Sequence, residues 1–236
     1  MRPQIHLSID DVWISFYQLF KDRPNSIFGI SLFKKLLLYH KKYNATFTLY
    51  VVGKTETFDL RGCDNSYKDE FEKNSDWLRF ALHCVTLSNN SVTAMQRYLD
   101  YDHVLQSVVG ENCISPIVRL HSFQKGALLN EELKEAGIKN LLCADDDRIS
   151  YCMSREDDWA LREQGILEKS GMTYIPTKIR MENGYSLSQV IDTNRSPFIS
   201  AFTHEYYFYG KRFLFGRIMM ARFLRVCKII KVQYTR

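Results

Sequence analysis

The feature that most constrains this chain is a recurrence: short apolar runs of strand length alternate with segments of helical period, and run after run ends in ionisable residues. Strand-like runs lie at 4–10, 45–52, 78–84, 116–121, 139–144 and 198–203, with helix-like segments at 27–42, 91–108, 126–136 and 206–230. Such alternation predicts βαβ units, in which each helix crosses back over a parallel sheet. Within 27–42, Ile27, Ile30, Phe33, Leu37 and Leu38 share one face while Lys34, Lys35, Lys41 and Lys42 lie mostly opposite, as a covering helix requires. Between Leu161 and Pro176, Gly165 and the Lys169-Ser170-Gly171 turn predict a hairpin added to the main sheet. The polar, turn-rich stretch 54–76 is expected to be a long surface loop. At 236 residues and 45% hydrophobic, without repeats or a Pro- or Ser-rich linker, the chain is expected to form one domain over 1–236.

Charge excludes some functions. The net charge of +5 is modest, and its basic residues gather at the carboxy end, at Lys211, Arg212, Arg217, Arg222, Arg225, Lys228, Lys231 and Arg236. That is a local patch, so no nucleic-acid partner is expected. Cys63, Cys84, Cys113, Cys143, Cys152 and Cys227 form no C-x-x-C pair and read as reduced thiols. No apolar leader precedes Asp10, and no run of eighteen apolar residues exists to span a membrane. Together these predict a cytoplasmic protein.

In parallel α/β folds the site is built where strands end. The first run, Ile5-His6-Leu7-Ser8-Ile9, ends in Asp10 and Asp11; the third contains His83 near its end; the fourth ends in Arg119 and His121; the fifth is followed by Asp145, Asp146 and Asp147; the last by His204 and Glu205. An aspartate pair alone serves equally as a turn cap. Three of six histidines at separate strand ends beside that pair have the composition of a divalent-metal hydrolase site. His6, His40 and His103 lack that placement, and His40 and His103 are expected at the surface.

These residues resemble the polysaccharide deacetylase superfamily (NodB homology, carbohydrate esterase family 4), most closely its divergent WbmS-type branch of surface-polysaccharide biosynthesis. Ser8-Ile9-Asp10-Asp11-Val12 resembles the family's T-F-D-D-G strand end, and Phe80-Ala81-Leu82-His83 the opening of its H-S-x-x-H motif. Val118-Arg119-Leu120-His121 occupies the place of its R-x-x-P strand, and Phe202-Thr203-His204-Glu205 resembles its L-x-x-H-D element. The sequence departs from the pattern at Val12 in place of glycine, at Leu87 in place of the second histidine, and in the absence of a proline after Arg119.

The resemblance implies an α/β fold, a distorted (β/α) barrel of mostly parallel strands with outer helices and a small hairpin decoration. It implies a metal-dependent hydrolase removing an N-acetyl or O-acetyl group from a sugar in surface-glycan biosynthesis. Asp10 would be the base, His204 the acid, and Asp11 and His83 ligands of a divalent cation, zinc before others. His121 is expected to replace the ligand lost at Leu87. Arg119 and Asp145 would orient the acid–base pair, and Trp13, Glu205 and Tyr206 would contact the carbohydrate. Two other readings stay open: another metal-dependent amide or phosphoryl hydrolase, and a non-catalytic glycan- or protein-binding module. The helix 206–230 is expected to close the barrel, with a basic outer stripe able to touch an anionic membrane or lipid-linked glycan.

Overall fold

Strand β1 (Gln4–Val12) is the axis of the molecule, buried along almost its whole length. A strand covered on both faces needs continuous rather than alternating apolarity, which Ile5, Leu7 and Ile9 supply together with internally bonded polar neighbours. In the computed structural model, which describes residues 4–87, 95–123, 129–151, 153–184 and 198–235, β1 lies between β2 (Phe47–Lys54) and β9 (Phe198–His204). Beyond these lie β3 (Leu78–Thr86) and the two-residue β8 (Ile179–Arg180), giving the order β3-β2-β1-β9-β8, all parallel. At the foot of β1, below the first rung to β2, the terminal strand β10 (Gln233–Tyr234) pairs with Gln4 and Ile5.

A second sheet runs β4 (Ile117–Val118), β5 (Asn140–Leu142), β7 (Met172–Ile175), β6 (Leu167–Lys169). It meets the first sheet where β4 packs beside β3, Ile114 just before β4 forming a parallel bridge to Phe80, and the chain passes from β7 into β8 on the other side. Two sheets joined at both margins make a distorted barrel. Among described residues the helices are α1 (Ile14–Asp22), α2 (Ser31–Tyr43), α3 (Lys68–Glu72), α4 (Met95–Val109), α5 (Leu129–Glu135), α6 (Arg155–Gln164) and α7 (Phe213–Ile229). One apolar core cluster includes residues of both sheets and most of these helices.

Several expectations are corrected. The predicted hairpin exists, with Ser170 and Gly171 both at positive φ (53° and 76°), the geometry a two-residue turn between twisted strands requires. It is not an ornament on the main sheet, because β7 pairs in parallel with β5 and belongs to the barrel wall; only β6 is extra. Nor is 54–76 a free surface loop: Phe58, Leu60, Tyr67 and Phe71 are buried, and α3 forms inside it. The helix predicted over 206–230 begins at Phe213, after two short 3-10 turns, and that predicted over 27–42 begins at Ser31. The expected helix starts at 91 and 126 lie outside the described residues.

Candidate metal and acid–base site

Consecutive residues on a regular strand point to opposite faces, so two adjacent aspartates should not share a site. Here the ladder slips. Between the rungs Ile9–Leu49 and Val12–Val51, Asp10 and Asp11 together oppose Tyr50, and Asp11 takes a left-handed backbone (φ 58°). This bulge brings both carboxylates to one cleft of about 160 Å³. A second slip, between Val51–Leu82 and Val52–Cys84, leaves His83 as the extra residue of β3. His121 is followed by Ser122 and Phe123 at φ 56° and 52°. Left-handed non-glycine residues are uncommon, and their gathering around one cleft marks backbone held in place by its surroundings.

Asp11, His83 and His121 each offer a donor atom within 4.8 Å of the other two. The His83 Nδ1–H donates to the Arg119 carbonyl at 2.6 Å, so its Nε2 is the free lone pair, 3.4 Å from Asp11 Oδ1. That oxygen is buried without a hydrogen-bond partner, a costly state unless a cation satisfies it. Burial would raise the Asp11 carboxyl, but the facing His83, His204 and His121 imidazoles hold it at about 2. Burial, with His83 nearby, depresses His121 to about 4, leaving it neutral as a ligand must be. One carboxylate and two imidazoles, oriented by a backbone carbonyl, form a donor set that fits a divalent cation of the zinc type.

Asp10 and His204 are register partners across β1 and β9. Asp10 is buried, and burial raises its carboxyl pKa against the opposing pull of Arg119, whose Nε lies 3.3 Å from Asp10 Oδ2. Arg119 is itself anchored: its Nη2 donates to Thr177 Oγ1 at 2.9 Å and its guanidinium lies 4.2 Å above the Phe202 ring. The His204 Nδ1–H donates to Glu182 Oε1, which also accepts from Arg180 Nε at 3.1 Å. Burial works to lower the His204 pKa, but Glu182, Asp10 and Asp11 overcome it and raise it. The Nε2 of His204, 3.9 Å from Asp11 Oδ2, is thus the proton-bearing edge turned toward the aspartates.

Asp10, Asp11, His83, Arg119, His121, Asp145 and His204 all line this one cleft. The residue missing from the sequence reading is Glu182, which lies in the 3-10 turn just after the two-residue β8, the strand that ends in its partner Arg180; an acid after a short apolar step is the only signal, and the strand is too short to read. Glu182, not Asp145, is the partner of His204; Asp145 lines the cleft, its Oδ1 4.0 Å from Arg148 Nη2 and without a hydrogen bond. Glu205 is fully buried and accepts from the backbone N–H groups of Trp13, Ile14 and Ser15 and from the Ser15 hydroxyl. Its carboxylate caps the positive end of α1 and is closed to a sugar. Trp13 lies at that cap, tilted against Tyr17, and Tyr206 stacks on His204 at 5.1 Å; neither lines the cleft. A larger hollow of about 970 Å³ opens at the opposite, amino-terminal end of the strands and contains none of these groups.

No family model matches this sequence, and no curated protein matches it. Solved structures do. A 4-alpha-glucanotransferase from Thermococcus litoralis superposes with TM-score 0.64 at 12% identity, over 99% of this chain and 39% of its own. The chain thus spans about two fifths of that enzyme. The Xyl-CE4 domain of a multidomain xylanase from the hindgut metagenome of Trinervitermes trinervoides gives 0.51 at 9% identity, over 100% and 87% of the two chains. A Mycobacterium smegmatis protein classed with the polysaccharide deacetylases gives 0.50 at 12%, over 100% and 93%. At these identities the likeness is one of fold.

Proposed function

On a chain with the polysaccharide deacetylase-like fold, we propose that this cleft hydrolyses an acetyl group, N-linked or O-linked, from a sugar unit in surface-glycan assembly. The observation that carries the reading is the division of labour within one bulge: Asp11, its carboxyl lowered among imidazoles, offers a donor atom beside those of His83 and His121, while its neighbour Asp10, its carboxyl raised by burial, is the register partner of His204. Environments that drive paired titratable groups apart are those that assign acid and base roles.

Asp11, His83 and His121 would hold a divalent cation, which when bound would polarise the acyl carbonyl and acidify a water. Asp10 takes the proton of the attacking water, and Arg119 beside it fixes the carboxylate's orientation. As the carbon–nitrogen bond breaks, His204 delivers a proton from Nε2 to the departing amine. The acyl group leaves as acetate and the sugar keeps the amine. For an ester the proton goes to the sugar oxygen instead. Glu182 holds the imidazole by Nδ1 and stabilises its charged form. Tyr206, stacked on the same ring, restricts its rotation.

The experiment is release of acetate from acetylated amino-sugar oligomers by zinc-loaded protein, with Asp10→Asn alongside. Turnover should fall by about 10²- to 10⁴-fold in the variant while metal content stays at the wild-type level. Metal loss together with activity would move Asp10 among the ligands, and no acetate release from any acetylated glycan would refute the reading.

A further inference from the structure

Two packed elements of this protein carry an unusual surface. Residues 31–43, forming α2, and 206–236, containing α7, together hold twelve lysines and arginines and not one aspartate or glutamate. Since the whole chain is only +5, the remainder is net acidic. Of the six large hydrophobic side chains exposed among described residues, five lie on these two helices: Leu38, Leu214, Phe215, Ile218 and Ile229. The helices touch directly, the Tyr39 hydroxyl donating to the Arg217 carbonyl at 3.1 Å. Both follow the carboxy ends of strands, β1 and β9, and both lead into strands parallel to β1, so they run side by side away from the cleft.

Apart from Ile229, the exposed apolar residues of α7 are gathered at one end of the helix. On α7, Leu214, Phe215 and Ile218 occupy the half nearest the cleft, while Arg222, Arg225 and Lys228 occupy the far half, and all six are exposed. A ladder of rings joins the apolar half to the site. Tyr206 stacks on His204, Tyr207 lies 4.7 Å from Tyr206, and Phe215 lies 5.8 Å from Tyr207, with Arg212 over both tyrosines. Gly216 permits the close approach, since a Cβ there would stand 2.2 Å from the Tyr207 carbonyl oxygen. Exposed aliphatic and aromatic groups set in an acid-free cationic field match the interface of an anionic bilayer, where side chains enter the acyl boundary and lysines and arginines meet lipid phosphates. No helix among the described residues is long and apolar enough to cross a membrane.

We infer that the α2–α7 face docks the protein on an anionic membrane surface, with the apolar start of α7 seated in the bilayer boundary and the mouth of the cleft beside it. The consequence is a substrate presented at that surface, such as a glycan carried on a lipid. An acidic protein would satisfy the charges but would not require the exposed Leu214, Phe215 and Ile218 to stay bare in water.

The test is co-sedimentation of the purified protein with vesicles of phosphatidylcholine alone or with about one third phosphatidylglycerol. Binding is expected only to the anionic vesicles and should weaken as salt rises. The pairs Leu214→Ser with Ile218→Ser, and Arg222→Glu with Arg225→Glu, should each reduce partition about tenfold or more. Trp159→Ser, which alters the exposed tryptophan on α6, should leave binding unchanged. Circular dichroism keeps misfolded variants out of the comparison, and the wild type alone decides the lipid preference. Absence of sedimentation with anionic vesicles, equal binding to neutral ones, or full binding by both double variants overturns the inference. No substrate enters the measurement, so its failure leaves the deacetylase reading standing.

Discussion

Glu182 Oε1 receives both the Nδ1–H of His204 and the Nε–H of Arg180, so a carboxylate in the turn just beyond the two-residue β8 holds the imidazole proposed as the acid. Glu182→Gln removes the negative charge that raises His204 and keeps an acceptor in place. An acid must be protonated to act, so activity falls as pH rises through its pKa. In the variant that alkaline limb should move to lower pH, and kcat should drop by roughly 100-fold with KM little changed. A pH–rate profile of both proteins checks this; an unshifted limb would leave Glu182 a purely structural residue.

Glu205 invites the opposite expectation. Because it caps α1 from inside the core, Glu205→Gln should cost about 1–3 kcal/mol of stability, read from urea midpoints, and should leave KM unchanged. A raised KM at unaltered stability would return Glu205 to the substrate.

His6 sits on the barrel floor between the Tyr50 hydroxyl and Thr235, and burial depresses it to about 3 from 6.5. A depressed base contributes stability that is present above its unfolded pKa and is lost as pH falls, because the unfolded chain takes the proton first. Stability should therefore decline below about pH 6.5, by up to about 1.4 kcal/mol per pH unit from this group, until about pH 3. His6→Gln should flatten that part of the denaturation profile. An identical slope in both proteins would show that other groups carry the acid sensitivity.

Much of the site is legible in the sequence because Asp10, Asp11, His83, Arg119, His121 and His204 obey one rule, an ionisable group at or near the end of an apolar run. Their geometry is less legible. Neither the bulge at Asp10–Asp11 nor that at His83 leaves a compositional trace, since a one-residue slip depends on the partner strand. Glu182 escapes because β8 has two residues, and Glu205 misleads because adjacency to His204 in sequence suggests adjacency in the cleft. The helix α6 is unread although Ser154 and Asp157 form a capping box, and α1 although Gln18, Lys21 and Asp22 fall on one face at helical spacing.

The central claim is that Asp11, His83 and His121 together hold a cation, with His121 replacing the ligand that Leu87 cannot supply. Calorimetric titration of zinc into chelator-treated wild-type protein and into His121→Ala tests it most directly. One site per chain in the wild type, weakened about tenfold or more in the variant while its fold is kept, is the predicted result. Equal affinity in both proteins, or no uptake by the wild type, would contradict it.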